Sequence, residues 1–143
     1  MSKGNTFEND LLLLVFNATA IANIADNAAA SPLTSLYMSL HTGDPGEAGT
    51  AATSEATYTS YARVAIARSG AGFTVTGNSV VNAALVQFPE CTGSTNTLTH
   101  FAVGVASSGS TKVLYKGALG SSLNVSSGIQ PQFAASSLTI TED

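Results

Sequence analysis

Residues 36–46 read LYMSLHTGDPG, a strand pattern followed directly by a turn pattern. Leu36, Met38 and Leu40 occupy every second position, which is the period of a strand with one face buried. Residues 43–46, Gly-Asp-Pro-Gly, then combine flexible glycines with a proline of restricted φ, so they predict a turn. The stretch therefore predicts a half-buried strand whose other face carries Tyr37, Ser39 and His41.

Short strand-like segments continue from this turn to the end of the chain. They are separated by polar stretches rich in Gly, Ser, Asn and Pro, which are typical of turns. The spacing predicts a mainly β protein, an antiparallel β-sandwich or jelly roll of about eight strands, with an up-and-down barrel as the competing topology. The further predicted strands are Tyr58 to Arg68, Gly72 to Thr76, Val80 to Phe88, Leu98 to Ala106, Lys112 to Leu119, Leu123 to Val125 and Ser137 to Thr141.

The segment before the first strand has helical periodicity. Asn5 followed by Glu8 forms a capping-box pattern, and the apolar spacing extends to about residue 25. The predicted apolar stripe consists of Phe7, Leu11, Leu14, Val15, Ala18, Ile21, Ala22 and Ala25. Leu12, Leu13 and Phe16 lie off that stripe, so the helix is apolar nearly all round. It is expected to be covered by its own domain and by a neighbouring subunit, or to be a fully buried core helix.

The length suits a single domain over residues 1–143. In this interpretation, residues 1–31 form the N-terminal helix and a small-residue connector that starts at Asp26 and is closed by Pro32. Residues 32–143 form the β-sandwich.

The composition is poor in charge. Only 10% of residues are charged, against about 25% in typical domains, and five Lys and Arg face nine Asp and Glu for a net charge of −4. Such a surface loses little solvation when another protein covers it. Five scattered cations argue against nucleic-acid binding and against attachment to a membrane surface. The apolar run at 11–16 is too short to span a bilayer, and a single cysteine excludes an intrachain disulfide.

Two histidines limit the possible chemistry. His41 lies at a predicted strand end, near Asp44 and Glu47, so a metal site built from these three side chains is one hypothesis. A solvated turn is the interpretation we favour, because three such donors often occur in one loop by chance. His100 is predicted to be a strand residue that faces water or a neighbouring strand.

Neither paired carboxylates nor a reactive thiol form a convincing reaction centre. A glycosidase needs two carboxylates at a fixed separation, and the candidates all lie in predicted loops. Those candidates are Asp26, Asp44, Glu47, Glu55 and Glu90. Cys91 lies beside Pro89 and Glu90 and has no nearby cation in the sequence to lower its pKa. We therefore predict a protein that is not an enzyme, with no catalytic residue, no cofactor and no metal.

Arg63 and Arg68 lie in a predicted strand of a chain that has few cations. Each is a candidate ion-pair anchor, within the fold or between subunits, because a guanidinium forms paired hydrogen bonds with carboxylates. The alternative is that both are ordinary exposed strand residues.

Residues 36–68 resemble a recurrent module of small virion structural proteins in tailed bacteriophages. The module consists of an apolar helix, an LYLALHT-like strand, a DP turn, a Gly-Thr-rich loop with an acidic residue, and a YAR strand. The matching parts are Leu36-Tyr37, Leu40-His41-Thr42, Asp44-Pro45, Gly49-Thr50, Glu55 and Tyr61-Ala62-Arg63. Together with the apolar helix, the resemblance covers roughly the first half of the chain.

This resemblance implies a virion structural protein that is assembled in the host cytoplasm, and it transfers no catalytic residues. The leading expectation is a capsid cement, or decoration, protein that stabilises the assembled shell. Its partners would be the major capsid protein of the same phage and further copies of itself, as a dimer or trimer. The alternative is a tail-fibre, tail-tip or baseplate component that contacts a host receptor. The N-terminal helix is the expected contact element.

Overall fold

The computed structural model describes residues 3, 5–21, 24–25 and 32–142. Among these residues, one helix precedes nine strands in antiparallel sheets, which confirms the predicted mainly β class and is consistent with a β-sandwich. The elements are α1 (Asn5–Asn17), β1 (Ser35–His41), β2 (Val64–Ala67), β3 (Phe73–Thr76), β4 (Ser79–Asn82), β5 (Val86–Gln87), β6 (Asn96–Gly104), β7 (Val113–Val125), β8 (Gln132–Phe133) and β9 (Thr139–Thr141). The sheet orders are β2-β1-β6-β7, β3-β4-β9 and β5-β8.

Helix α1 is shorter than predicted. It ends at Asn17 because Ala18 adopts a left-handed conformation, with φ of 55°, and the Thr19 N–H donates to the Leu13 carbonyl at 3.1 Å. This bond pattern terminates a helix. Residues 21 and 25 then pair with each other. Residues 22–23 of the predicted helix and 26–31 of the predicted connector lie outside the described residues.

The buried face of α1 also differs from the predicted stripe. Glu8, Leu12 and Phe16 are buried, whereas Phe7 is 40% exposed. The contact with β3 selects this face: the rings of Phe16 and Phe73 meet edge to face, with centroids 4.8 Å apart. Tertiary packing therefore decides which side of a helix that is apolar nearly all round becomes core.

The chain divides into two compact units. The first comprises Met1–Ser35, Ala67–Val86 and Phe133–Asp143, and it contains α1 and the sheet β3-β4-β9. Its core includes Asn82, whose amide donates to the carbonyls of residues 84 and 134 and whose oxygen accepts the N–H of residue 138. The predicted organisation as one domain over residues 1–143 stays a prediction.

The second unit comprises Leu36–Ile66 and Gln87–Gln132, and the sheet β2-β1-β6-β7 is its centre. Strand β1 lies inside this sheet, with Leu40 opposite Phe101 of β6. The prediction that β1 is half-buried was wrong, because Ser39 and His41 are buried together with the apolar positions. The loop between β1 and β2 (residues 42–63, the β1–β2 loop) contacts His41 and so covers the second face of the strand.

Several strand boundaries differ from the sequence periodicity. The predicted strand Tyr58–Arg68 is reduced to β2, because Ser60 has a φ of 79° and the Tyr61 N–H donates to the Tyr58 carbonyl, which makes a turn. The predicted strand at 80–88 is two strands, β4 and β5. The two-residue strand β8 is too short to show a period and was missed.

Strand β7 joins two predicted strands, Lys112–Leu119 and Leu123–Val125, into one. Leu98 of β6 pairs with Leu123, whereas His100 pairs with Ala118, so residues 119–122 have no partner residue on β6. This interruption is a bulge within a continuous strand. The Gly-Ser-Ser composition at this point resembles a turn, which explains why the sequence suggested a break.

Candidate functional site

The β1–β2 loop of the second unit collects most of the polar residues that the sequence analysis singled out. It starts directly after His41 and contains the two acidic residues of the metal hypothesis, Asp44 and Glu47. It also contains Glu55 and the arginine of the YAR motif, Arg63. These side chains form two separate clusters, one buried and one exposed.

The buried cluster is an ion pair between Glu55 and Arg63. The Arg63 Nε and Nη2 atoms donate to the two carboxylate oxygens of Glu55 at 2.6 and 2.8 Å, which is the paired geometry that suits a guanidinium. The Arg63 side chain is 2% exposed and that of Glu55 is 18% exposed. Hydrogen bonding to Glu55 raises the pKa of Arg63 above its usual value. Arg63 is thus an anchor within the fold, as one of the two predicted alternatives proposed.

Arg63 also holds the loop between β6 and β7. Its terminal nitrogens donate to the carbonyls of Ala106 at 3.1 Å and Gly109 at 2.8 Å. Tyr61 extends the cluster, since its hydroxyl donates to Glu55 at 3.1 Å and accepts the N–H of Leu40 at 3.0 Å. Burial raises the pKa of the Tyr61 hydroxyl above its usual range. A cavity of about 340 Å³ borders this cluster, but the polar groups of Glu55 and Arg63 are already bonded to each other.

His41 belongs to the interior rather than to a metal site. Its Nδ1 lies 2.9 Å from the Thr53 carbonyl, so this nitrogen carries the proton and donates, and its Nε2 lies 2.8 Å from the Ser39 hydroxyl, which donates to it. Burial lowers the pKa of His41 below 6.5, with a smaller opposing effect from the bond to Thr53. Both ring nitrogens are therefore occupied by protein groups.

The exposed cluster joins the β1–β2 loop to β7. Lys116 lies 3.0 Å from Asp44 and 3.7 Å from Glu47, and Asp44 also accepts the Gly46 N–H at 2.8 Å. The bond from Gly46, followed by the bond from Lys116, lowers the pKa of Asp44. The loop is compact here, because a Cβ on Gly49 would lie 1.8 Å from the Pro45 carbonyl oxygen. A cavity of about 330 Å³ lies between this loop and β7.

The structure therefore does not bring together the three residues of the metal hypothesis. His41 is buried with both nitrogens bonded, whereas Asp44 and Glu47 face Lys116. Within the described part of the chain, no three His, Cys, Asp or Glu side chains are grouped as metal ligands would be. The sequence analysis did not identify Lys116 as the partner of Asp44 and Glu47. The available signal was that Lys116 is one of only five Lys and Arg residues and lies within a predicted strand.

The remaining candidates lie apart from both clusters. Cys91 is buried, and its thiol donates to the Gly93 carbonyl at 3.1 Å. His100 is half-buried in β6, where its Nδ1 lies 2.9 Å from the Thr99 hydroxyl. Glu90 is exposed in a loop, and Asp26 lies outside the described residues.

Arg68 has a role in the first unit that the sequence analysis did not anticipate. Its guanidinium donates to the carbonyls of Leu14 and Val15 in the last turn of α1, and to the carbonyl of Leu33 at 3.2 Å. The last carbonyls of a helix have no partner within it, and a cation there is favoured by the helix dipole. Arg68 therefore caps the helix through main-chain groups, where a carboxylate partner was one expectation.

These side chains hold loops and a helix end in place, and every buried polar side-chain atom among the described residues has a hydrogen-bond partner. The polar groups of both clusters are thus bonded to other groups of the chain itself. No helix in the described ranges is long and apolar enough to cross a membrane.

Comparison with known protein families gives the particular class. The family described as "Podophage GP4 fiber I protein gp80" matches residues 4–141, so the chain belongs to this family of phage structural proteins. It is a family of fibre proteins and not of enzymes, and membership indicates a location in the virion. The resemblance to phage structural proteins is thereby confirmed at this level, whereas the specific LYLALHT-DP-YAR module stays an interpretation. No curated protein matches the chain.

Proposed function

We propose that this protein is a structural component of the phage tail-fibre apparatus and acts by binding neighbouring protein subunits, without chemistry. The match to a fibre-protein family over residues 4–141 carries this proposal. It favours the tail-fibre alternative over the capsid-cement function that was the leading expectation. The major capsid protein as a partner stays a prediction, as does assembly in the host cytoplasm.

The distribution of charge supports a binding role. Glu55 and Arg63 neutralise each other inside the fold, and Lys116 is neutralised by Asp44 and Glu47 at the surface. The surface that remains is rich in hydroxyl groups and uncharged side chains. Another protein can cover such a surface while removing few charges from water.

The number of copies per particle tests this proposal. Quantitative mass spectrometry of purified virions, calibrated against the major capsid protein, should give roughly three to a dozen copies, as expected for a symmetric tail assembly. Copies on the order of hundreds would indicate decoration of the shell by many weak contacts and would reject the fibre assignment.

Separated heads and tails give a second measurement. The protein should be found with the tail fraction, while the major capsid protein serves as the control that marks the heads. Recovery with the heads, or absence from finished particles, contradicts the proposal.

A further inference from the structure

The two histidines of the chain lie side by side in the second unit. His41 of β1 is directly opposite His100 of β6 in the antiparallel register, so both side chains lie on the same face of the sheet. The β1–β2 loop covers this face, because its Thr53 carbonyl accepts the ring N–H of His41. His41 is fully buried there, whereas His100 is half-buried. A proton on His41 would therefore lie beneath the loop and beside the second histidine.

The closed loop disfavours a proton on His41. Burial is the largest cause, because a charged ring is unfavourable without water, and Arg63 and His100 add repulsion. The bonded loop carbonyl and Glu55 favour the proton, but two hydrogen bonds already tie the Glu55 carboxylate to Arg63. On β1 itself, the Ser39 hydroxyl turns from donor to acceptor toward Nε2 and supplies no charge. The pKa of His41 is therefore lower under the closed loop than in water.

The loop segment over the buried histidine buries little apolar surface. Residues 42–54 are all described, and Pro45 and Ala51 are the two of them that are buried. The ion pair between Asp44 and Lys116 adds little, because it is exposed to solvent. Strand β1, by contrast, is paired on both sides, with β2 and with β6. Segments with few buried apolar contacts open at a lower free energy than central strands, so the loop should yield before the sheet does.

Ser54 separates the segment that contacts His41 from the anchored part of the loop. Its φ of 53° lies in the left-handed region, which residues other than glycine rarely adopt. The residue before it, Thr53, binds the His41 ring, and the residue after it, Glu55, is anchored to Arg63. A change of backbone conformation at Ser54 therefore frees the preceding segment and leaves the buried ion pair intact.

We propose that residues 42–54 form an acid-released cover: proton uptake by His41 frees this segment from β1, while the Glu55–Arg63 pair and the sheet stay in place. The ring takes up a proton more readily when the cover is open, so the open state gains as the pH falls below about 6.5, the ordinary value for histidine. Above that pH the neutral ring keeps the cover closed. This device goes beyond the proposed binding role and does not depend on the fibre assignment.

Hydrogen exchange of the full chain, followed for single amides by NMR at pH 7.5 and 5.5, tests the cover. The amides of Thr42 and Ala51 donate to main-chain carbonyls when the cover is closed. Their protection, corrected for the chemical effect of pH on exchange, should fall by up to about tenfold, the largest factor that one histidine gives one pH unit below 6.5. The amides of Cys91 and Leu138, bonded outside the loop, should not change. Constant protection of the cover, or an equal fall at all four amides, overturns the proposal.

Replacement of each histidine in turn identifies the group that takes up the proton. His41→Gln removes the buried ring and should make the protection of the cover independent of pH in this range. The matched control is His100→Gln, at the half-buried position opposite, which should keep most of the pH dependence because burial of His41 is the larger cause. This control also keeps the proposal testable if His41→Gln does not fold. Loss of the pH dependence in His100→Gln, or its persistence in His41→Gln, overturns the assignment to His41.

Discussion

The β1–β2 loop takes part in two clusters of ion pairs, one buried within the loop and one exposed that joins the loop to β7. Glu55 and Arg63 meet through two hydrogen bonds, with the arginine side chain 2% exposed. Lys116 meets Asp44 and Glu47 in solvent, and the Glu47 side chain is 98% exposed. A buried charge must keep its partner, because it has lost its water, whereas an exposed pair gains little over solvation.

Within this loop, the buried pair supports the fold, whereas the exposed pair shapes the surface. The Glu55–Arg63 pair connects the β1–β2 loop to the β6–β7 loop, so it holds in place the loop that covers His41. The Asp44–Lys116 pair sets the charge and shape of the cavity beside β7. The first pair is therefore expected to contribute to stability, and the second to the charge of the surface beside β7.

Loss of the buried carboxylate should have the largest effect. Glu55→Gln leaves the Arg63 guanidinium buried without a counter-ion, and the free energy of unfolding should fall by about 3 kcal/mol. Urea denaturation measures this fall in the free energy of unfolding. The matched control is Glu47→Gln in the exposed cluster, which should not move the midpoint. Equal midpoints for both variants would remove the distinction between the two pairs.

Arg68 extends the comparison to a half-buried cation that has main-chain partners. Arg68→Ala removes donors from the carbonyls of Leu14 and Val15, and the free energy of unfolding should fall by about 2 kcal/mol. Thermal unfolding followed by circular dichroism measures this loss. Arg68→Lys keeps the charge but lacks the planar guanidinium group. Its melting temperature should lie between those of the wild-type protein and Arg68→Ala. A substitution to alanine that leaves the melting temperature unchanged would contradict the capping role.

The smallest expected effect is a pH dependence at His41. Its pKa is lowered by burial, so the unfolded chain, with a pKa near 6.5, takes up a proton first as the pH falls. The contribution of neutral His41 to the free energy of unfolding is therefore complete above pH 6.5 and is lost progressively as the pH falls below it. Urea midpoints at pH 7.5 and 5.5 should differ more for the wild-type protein than for His41→Gln. Asp44 does not interfere, because its pKa is lowered from 3.8 and lies below this range. If the urea midpoint changes equally for the two proteins between pH 7.5 and 5.5, protonation of His41 is not coupled to folding.

Local sequence patterns predicted the class of fold, and the low charge predicted a binding role. The period-two pattern of residues 36–40 and the recurrent turn chemistry are local properties, and they predicted short antiparallel strands after one N-terminal helix. Scarcity of charge is likewise readable without a structure, and it predicted a binding protein. The fold class is confirmed, because it depends on composition and on neighbours in the sequence, whereas the binding role stays a prediction.

Contacts between distant segments fix three features: which face of α1 is buried, what the two arginines bind and where His41 lies. Leu12 and Phe16 became core because β3 lies against that face, and Arg68 found carbonyls because the helix ends beside it. His41 changed from a predicted surface position to an interior one because a loop some twelve residues away returns to cover it. These outcomes depend on contacts between distant segments, and no local period encodes such contacts.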